Sequence, residues 1–349
     1  MKTKMHIVQK VVLRILFLAA VCIAFNQIYK AYYWEDDLEE HADVLPVVLQ
    51  LKDSCDVIYF GESSNFSYHP IRDTLEDRIS DFISYHFHEM KFGTVNSSAY
   101  HAGIYLPLIE QLRNSKTIHT VIVTLNMRTF DQAAIHSELE SALQQSKVMY
   151  QSRPPFLNRL LLTLNFYDDK SAMDRDRIMW KEWTYDTLKS NDKRISFEPN
   201  TIRRWCETIK FPDSNGIEYM PKRALADHYI KAYAFEITAD NPRVKDFDKI
   251  VRVCIANGQT PVLNLLAENV QYADSLVGEN LVWLMRKNRD ILVDRYTKMG
   301  AIVVDNLEAV NGYNYTDQDW TTEHYDQIGR QIIAKNVADS LRSTYSKQK

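Results

Sequence analysis

Short apolar runs alternate with helical segments along most of this chain, and this alternation constrains the fold more than any other feature. The clearest buried strand is Thr120–Leu125, in which nearly every side chain is β-branched. Val244–Asn257 has helical spacing of its apolar residues and ends at Gly258. Strands that alternate with helices are typical of a parallel sheet with helices on both faces. The predicted strands are Val57–Phe60, Gly93–Asn96, Thr120–Leu125, Thr260–Leu266 and Ala301–Asp305.

The connections between these strands predict the topology. Right-handed crossovers favour an all-parallel sheet of order 2-1-3-4-5, which is a three-layer, flavodoxin-like α/β fold. Residues 128–242 lack clear strands, so they are interpreted as a helical insertion that either covers the site or buries one flank of the sheet. The predicted helices of the α/β layers are Ile71–Glu89, Ile104–Arg113, Val244–Asn257, Glu279–Met299 and Tyr325–Tyr345.

The N-terminus has the composition of a membrane anchor. Three lysines and no acid lie in the first ten residues, and Val11–Phe25 is apolar except for Arg14. Aromatic residues then follow at positions 32–34. This pattern favours an uncleaved transmembrane helix with its basic end in the cytoplasm. A cleaved signal peptide and a buried helix of a soluble protein are the alternatives.

This interpretation divides the chain into three parts. Residues 1–33 form a cytoplasmic tip and signal anchor, residues 34–46 an acidic stalk, and residues 47–349 the extracytoplasmic α/β domain. The predicted location is therefore the inner or plasma membrane, with one span. The net charge of −4 and the lack of a long basic run argue against nucleic acid as a partner. Outside the anchor, the three scattered cysteines match neither a metal-binding motif nor a disulfide framework. A single disulfide between two of them is possible, and no cofactor is predicted.

Polar side chains follow the predicted strands at their carboxyl ends. Gly61-Glu62-Ser63-Ser64 follows the first strand, Asn96-Ser97-Ser98 the second and Thr124-Leu125-Asn126 the third. A loop rich in Tyr and Asp follows the last strand and ends at His324. Because the carboxyl ends of parallel strands share one edge, hydroxyl, amide and imidazole groups converge there. Acyl transfer needs these groups as nucleophile, base and oxyanion donors.

These blocks resemble those of the SGNH, or GDSL-type, hydrolase superfamily. That family has Gly-Asp-Ser after the first strand, where this chain has Gly61-Glu62-Ser63. It has Gly-x-Asn after the third strand, where this chain has Thr124-Leu125-Asn126. It ends with Asp-x-x-His and a glycine five residues later, where this chain has Thr321, His324 and Gly329. The resemblance covers about residues 57–341, with the insertion unmatched.

The resemblance implies a role for each residue. Ser63 is the nucleophile, with Ser64 as the alternative hydroxyl, and His324 is the general base. The oxyanion donors are the Ser63 N–H, the region of Ser98 or the next residue, and the Asn126 side chain. Thr321 occupies the usual position of the acid, so Asp319 is assigned that role; Asp317, Glu323 and a Ser–His dyad that uses a backbone carbonyl are the alternatives.

Membrane-anchored members of this superfamily O-acetylate alginate or peptidoglycan, or D-alanylate teichoic acid. The resemblance therefore implies a serine acyl-esterase or O-acyltransferase that acts on cell-envelope glycan through an acyl-serine. Its partners would be an envelope polysaccharide or acyl ester, and a membrane-bound acyl-transfer protein. The alternative is a non-catalytic, envelope-anchored glycan-binding or scaffold protein on the same fold.

Overall fold

The computed structural model describes residues 2–168, 170–185, 188, 201–321 and 323–347. Its centre is a five-stranded, all-parallel sheet of order β2-β1-β3-β4-β5, which confirms the predicted topology. The strands are β1 (Val57–Gly61), β2 (Phe92–Asn96), β3 (Thr120–Leu125), β4 (Thr260–Leu265) and β5 (Ile302–Asp305). The helices are α1 (Lys2–Tyr32), α2 (Trp34–His41), α3 (Val44–Leu51), α4 (Ser63–Phe66), α5 (Ile79–Ser84), α6 (Ala102–Gln111), α7 (Gln132–Ile135), α8 (Leu139–Met149), α9 (Pro155–Thr163), α10 (Ala172–Tyr185), α11 (Ile202–Thr208), α12 (Met220–Tyr233), α13 (Pro242–Ala256), α14 (Val270–Leu276), α15 (Glu279–Lys298) and α16 (Gln327–Lys347).

The sheet separates two apolar cores because successive side chains of a strand point to opposite faces. In β1, Ile58 and Phe60 belong to the larger core, in which Phe60 packs against Tyr105 of α6. Val57 and Tyr59 belong to the smaller core on the other face, with α5 and α16. Every residue of β1 is buried, so the strand that precedes the candidate nucleophile lies in the interior of the fold.

The described part of residues 128–242 is helical, as predicted, apart from an isolated bridge between Pro212 and Glu218. Short 3₁₀ turns occur at Met127–Phe130 and Gly312–Asn314. Helices α8, α9, α11 and α12 of this insertion extend the larger core rather than forming a separate one, because their apolar side chains pack into the same cluster. Part of the insertion, within 186–200, lies outside the described residues.

Two predicted segments differ from the structure. The long helix expected over Ile71–Glu89 is present only as α5, and residues 67–78 are irregular. The segment expected to be a stalk, 34–46, is helical, and α3 crosses the predicted boundary at residue 47 with Val44 and Leu45 buried in the larger core. Tertiary contacts outweigh local sequence preference in both places.

The N-terminal helix is long and apolar enough to cross a membrane. Within its candidate span, Ile7–Tyr32, the most apolar 18-residue stretch has a mean hydropathy of 2.2 and is not buried inside the protein. A buried core helix is therefore not the description that fits α1. Cys22 lies on this helix, and all four cysteines of the chain are free thiols.

Candidate active site

The nucleophile turn, residues 61–67, presents Ser63 at the carboxyl end of β1. Glu62 is the N-cap of the short helix α4, and its Oε1 accepts a hydrogen bond from the Ser64 N–H at 3.3 Å. The Ser67 N–H closes the turn on the Ser63 carbonyl at 3.0 Å. A Cβ on Gly61 would lie 2.7 Å from Asn96 Oδ1, so glycine is needed here for the close approach of a neighbouring strand end rather than for an unusual φ.

Ser63 and His324 are in direct contact. Ser63 Oγ lies 2.9 Å from His324 Nε2, although 261 residues separate them in the chain. Ser64 is completely buried, and its Oγ has no hydrogen-bond partner among the described residues. The geometry thus selects Ser63 over Ser64 as the hydroxyl within reach of a base.

The acid that orients His324 is Asp317, not Asp319. His324 Nδ1 lies 2.7 Å from Asp317 Oδ2, whereas Asp319 is exposed and no hydrogen bond or ion pair joins it to His324 among the described residues. A carboxylate can only accept a hydrogen bond, so Nδ1 of His324 must carry the hydrogen that is shared with Asp317. In this tautomer Nε2 has no hydrogen and can accept one from the Ser63 hydroxyl. Thr321 is buried beside the site and supplies no carboxylate.

The two other candidate acids have different partners. Glu323 is buried and forms a bidentate pair with Arg128, at 3.0 Å to Nε and 2.9 Å to Nη2. Glu62 Oε2 lies 3.0 Å from Ser63 Oγ. Burial, and then the charge of Glu323, raise the pKa of Glu62 and favour its neutral form. The Ser63 hydroxyl therefore has two possible acceptors, Glu62 Oε2 and His324 Nε2.

Of the predicted oxyanion donors, Asn126 lies at the site and Ser98 does not. Asn126 lines the same cavity as Glu62, and its Nδ2 donates to Glu323 Oε2 at 2.9 Å while its Oδ1 accepts from the Arg128 N–H. Ser98 is an exposed turn residue outside the cavity wall. Ala99 is on that wall with φ of 60°, a left-handed conformation that favours glycine.

A cavity of about 460 Å³ adjoins these residues. Glu62, Asn126 and Thr321 form the wall next to Ser63 and His324. Trp183 of α10 and Trp320 form part of the remaining wall, so the helical insertion contributes to the cavity. The insertion therefore does both things that the sequence left open: it contributes to the wall of a cavity beside the site, and it extends the larger core on one flank of the sheet.

Two solved structures are similar to this chain at low identity. One, from Streptococcus pneumonia, is described as a platelet activating factor: the TM-score is 0.40 at 9% identity, covering 92% of this chain and 99% of that one. The other is phospholipase A1 from Streptomyces albidoflavus NA297, with a TM-score of 0.38 at 10% identity, covering 82% and 98%. No family model and no curated protein matches the chain. The functional argument therefore rests on the geometry of the site.

Sequence reasoning weighed Asp317 but preferred Asp319, and it did not find the pairing of Glu323 with Arg128. The available signal for Asp317 was the density of acids before His324, which does not distinguish one acid from another. Which of them reaches the imidazole depends on the path of the loop between β5 and α16. We call this loop, residues 306–326, the histidine loop.

Proposed function

We propose that this chain is a membrane-anchored serine acyl-ester enzyme, an esterase or an O-acyltransferase. The observation that carries the proposal is the continuous chain of contacts from Ser63 Oγ through both nitrogens of His324 to Asp317. This is the arrangement of a nucleophile, a general base and an orienting acid, recognised by geometry rather than by sequence position.

The mechanism follows from these contacts. Ser63 Oγ attacks the acyl carbonyl carbon while its proton passes to His324 Nε2, and Asp317 stabilises the imidazolium that forms. When the tetrahedral intermediate collapses, the leaving alkoxide takes that proton and an acyl-serine remains. A second hydroxyl, from water or from a sugar, then loses its proton to His324 and attacks the acyl-serine. The bond between the acyl carbon and Ser63 Oγ breaks, and Ser63 takes the proton back from His324. Water as acceptor makes the reaction hydrolysis, and a sugar hydroxyl makes it transfer.

We propose a cell-envelope glycan as the polymer on which the enzyme acts. The cavity supports this because Trp183 and Trp320 line it together with polar groups such as Asn126 and Lys231, and because it is far larger than an acetyl group needs. With α1 as the anchor, the domain would lie outside the cytoplasm at the inner or plasma membrane. A membrane-bound acyl-transfer protein would then deliver the acyl group.

Active-site labelling tests the chemistry. The full-length protein in detergent is treated with a fluorophosphonate probe, and turnover of a small acetyl ester is measured in parallel. We expect labelling of the wild type and of Ser64→Ala, and none of Ser63→Ala. Adding an envelope glycan with the ester then separates the two reactions, because a transferase acetylates the glycan. Labelling of Ser63→Ala at the wild-type level would refute the mechanism.

A glycan-binding protein without catalysis is the second candidate. One contact favours it: the Asn126 amide, the predicted oxyanion donor, already donates to Glu323. Binding of the glycan with equal affinity by wild type and Ser63→Ala, together with no probe labelling of either, would support this candidate.

Reporter fusions test the topology. A reporter that is active only outside the cytoplasm should function when fused after Lys349, and a cytoplasmic reporter at the same position should not. The reverse result would exclude the proposed anchor without bearing on the Ser63 chemistry.

A further inference from the structure

Helix α9 exposes an apolar face. Leu157, Leu160 and Leu164 follow the i, i+3, i+7 spacing of a single helical stripe, and Phe166 comes two residues later. Leu160 is 42% exposed, Leu164 56% and Phe166 67%. A stripe of large apolar side chains beside one another indicates a contact surface rather than isolated surface residues.

This face begins next to the end of the apolar helix α1. The ring of Phe156, at the start of α9, stacks on Phe25 with 5.7 Å between centroids and meets Tyr29 edge-on at 6.2 Å. The Phe156 N–H donates to Asn26 Oδ1 at 3.0 Å. Helix α9 is thus attached to the last two turns of α1.

A salt bridge strengthens this attachment. Arg159 of α9 lies 3.3 Å from Asp37 of α2, and Asp37 also accepts a hydrogen bond from the Tyr29 hydroxyl. The contacts come from both sides of the α1–α2 junction, so they set the direction of α9 relative to α1. The domain therefore has a defined orientation with respect to the apolar helix.

The length of α1 sets the depth of this junction in a bilayer. Its 26-residue apolar part is about 39 Å long, whereas the hydrocarbon core is about 30 Å thick. The last two turns of α1, residues 26–32, therefore reach the headgroup region, where tyrosines such as Tyr29 and Tyr32 are favoured. The start of α9 lies at the same level because Phe156 contacts Phe25 and Tyr29.

We propose that α9 lies in the membrane interface, with Leu157, Leu160 and Leu164 among the lipid acyl chains. The occupant of the exposed face is the bilayer, and α9 is a second, monotopic contact that holds the α/β domain against the membrane surface. This inference rests on the proposed membrane span of α1. The insertion, which lines the cavity beside the candidate active site, would then contact the membrane directly.

Depth-dependent fluorescence quenching tests this contact in the full-length protein. An environment-sensitive fluorophore is attached to one introduced cysteine in a Cys22→Ser background, since the other three thiols are buried. The probe positions are Leu160→Cys on α9, Leu18→Cys within α1, and Ile255→Cys on α13 as the control; Ile255 is 46% exposed, close to the value for Leu160. Each protein is placed in single-copy nanodiscs with lipids whose nitroxide lies near the headgroup end of the acyl chain, or at the chain terminus.

We expect the nitroxide near the headgroup to quench the Leu160 probe at least roughly three times as strongly as the Ile255 probe, because an interfacial helix lies at that depth. Quenching at Leu160 no stronger than at Ile255 would overturn the proposal. A blue-shifted Leu160 emission without nitroxide quenching would mean that protein covers the face, and would also overturn it.

The Leu18 probe separates this inference from the proposed anchor. If the chain-terminal nitroxide quenches Leu18 while Leu160 is not quenched, α1 spans the membrane and only the role of α9 is refuted. If Leu18 is not quenched either, the anchor itself fails, and the inference about α9 fails with it.

Discussion

The nucleophile turn and the histidine loop meet at the same site but are held in place by different means. The nucleophile turn is fixed by local structure, because β1 is fully buried and Glu62 caps the helix that begins at Ser63. The histidine loop has little regular structure of its own. It is held by hydrogen bonds to residues 67–78, the irregular segment that follows the nucleophile turn.

Arg330 illustrates how the loop is held. It is fully buried at the start of α16 and donates to the carbonyls of Leu75 and Asp77, at 2.9 Å each, and to Asp73 at 3.0 Å. It also donates to the Tyr325 carbonyl, next to His324. One side chain thus connects the segment after the nucleophile with the segment that carries the base. The alignment of Ser63 with His324 therefore depends on long-range contacts as well as on the local turn.

The largest effect should come from removing either reacting group. Ser63→Ala and His324→Ala should each lower ester turnover by at least about 10³-fold, because neither can act without the other. Turnover in the double variant should equal that in the singles if the two regions act as one unit. Ser64→Ala is the matched control in the same turn, and it should keep most of the activity. A double variant far worse than both singles would show that the regions act independently.

The identity of the acid is the next test. Asp317→Asn should lower kcat on the order of 10³-fold, because the amide no longer accepts as a carboxylate and no longer stabilises the imidazolium. Asp319→Asn, two residues away on the same loop, should leave kcat within about two-fold, since surface substitutions have small effects. Steady-state kinetics on both proteins check this, and the opposite ranking would restore Asp319.

Substitution of Asn126 tests the proposed oxyanion site, which lies in neither the nucleophile turn nor the histidine loop. Asn126→Ala should lower kcat by about 10²-fold while KM changes little, because an oxyanion donor acts mainly in the transition state. Unchanged kcat would mean that the amide serves only Glu323 and Arg128.

A milder change should weaken the long-range support without removing a reacting group. The Arg72 side chain donates to the carbonyls of Tyr313 and Tyr315 in the histidine loop, at 2.5 and 3.2 Å. Arg72→Ala should lower the rate of fluorophosphonate labelling roughly ten-fold, because small misplacements of a base are costly. Arg252→Ala, a surface arginine paired with Asp248, is the control and should label like the wild type. Equal rates in the two variants would show that the loop keeps its position without Arg72.

The smallest effect concerns stability at a third strand end. His101 follows β2, caps α6 and lies 3.1 Å from Glu140 of the insertion. Burial, and then the charge of Arg243, lower the pKa of His101 from 6.5 to about 4. As the pH falls from about 6.5 to about 4, the unfolded chain binds a proton that the folded protein does not, so stability is lost in that window, by up to roughly 3 kcal/mol.

Denaturant titration at pH 7 and pH 5 measures this loss. His101→Asn keeps a side chain that can cap α6 but does not titrate, so its stability should depend less on pH. The same pH dependence in both proteins would place the titrating group elsewhere.

The errors of the sequence interpretation have one cause. Residues 71–89 have the composition of a helix, but Arg330 and Gln327 hydrogen bond to the backbone of residues 74–77, and only α5 is helical. Asp319 has the chemistry of the missing acid, but the path of the histidine loop brings Asp317 to the imidazole instead. Segment 34–46 is acidic, but its end belongs to α3, which packs into the larger core. In each case contacts with residues far away in the chain determined the local conformation, and the local sequence pattern does not contain those contacts.

The sequence by itself determined the parallel sheet and its order, the position of Ser63 after β1, and the apolar helix at the N-terminus. These features follow from short stretches of sequence, namely the spacing of apolar residues, the apolar strands and the Gly-x-Ser after the first strand, together with the general preference for right-handed crossovers. Only the tertiary structure decided that Asp317 is the carboxylate in contact with His324, that Glu323 pairs with Arg128, and that α9 is attached to α1. The physical reason is that these contacts join residues far apart in the chain, and the irregular loops that carry them take their shape from their partners.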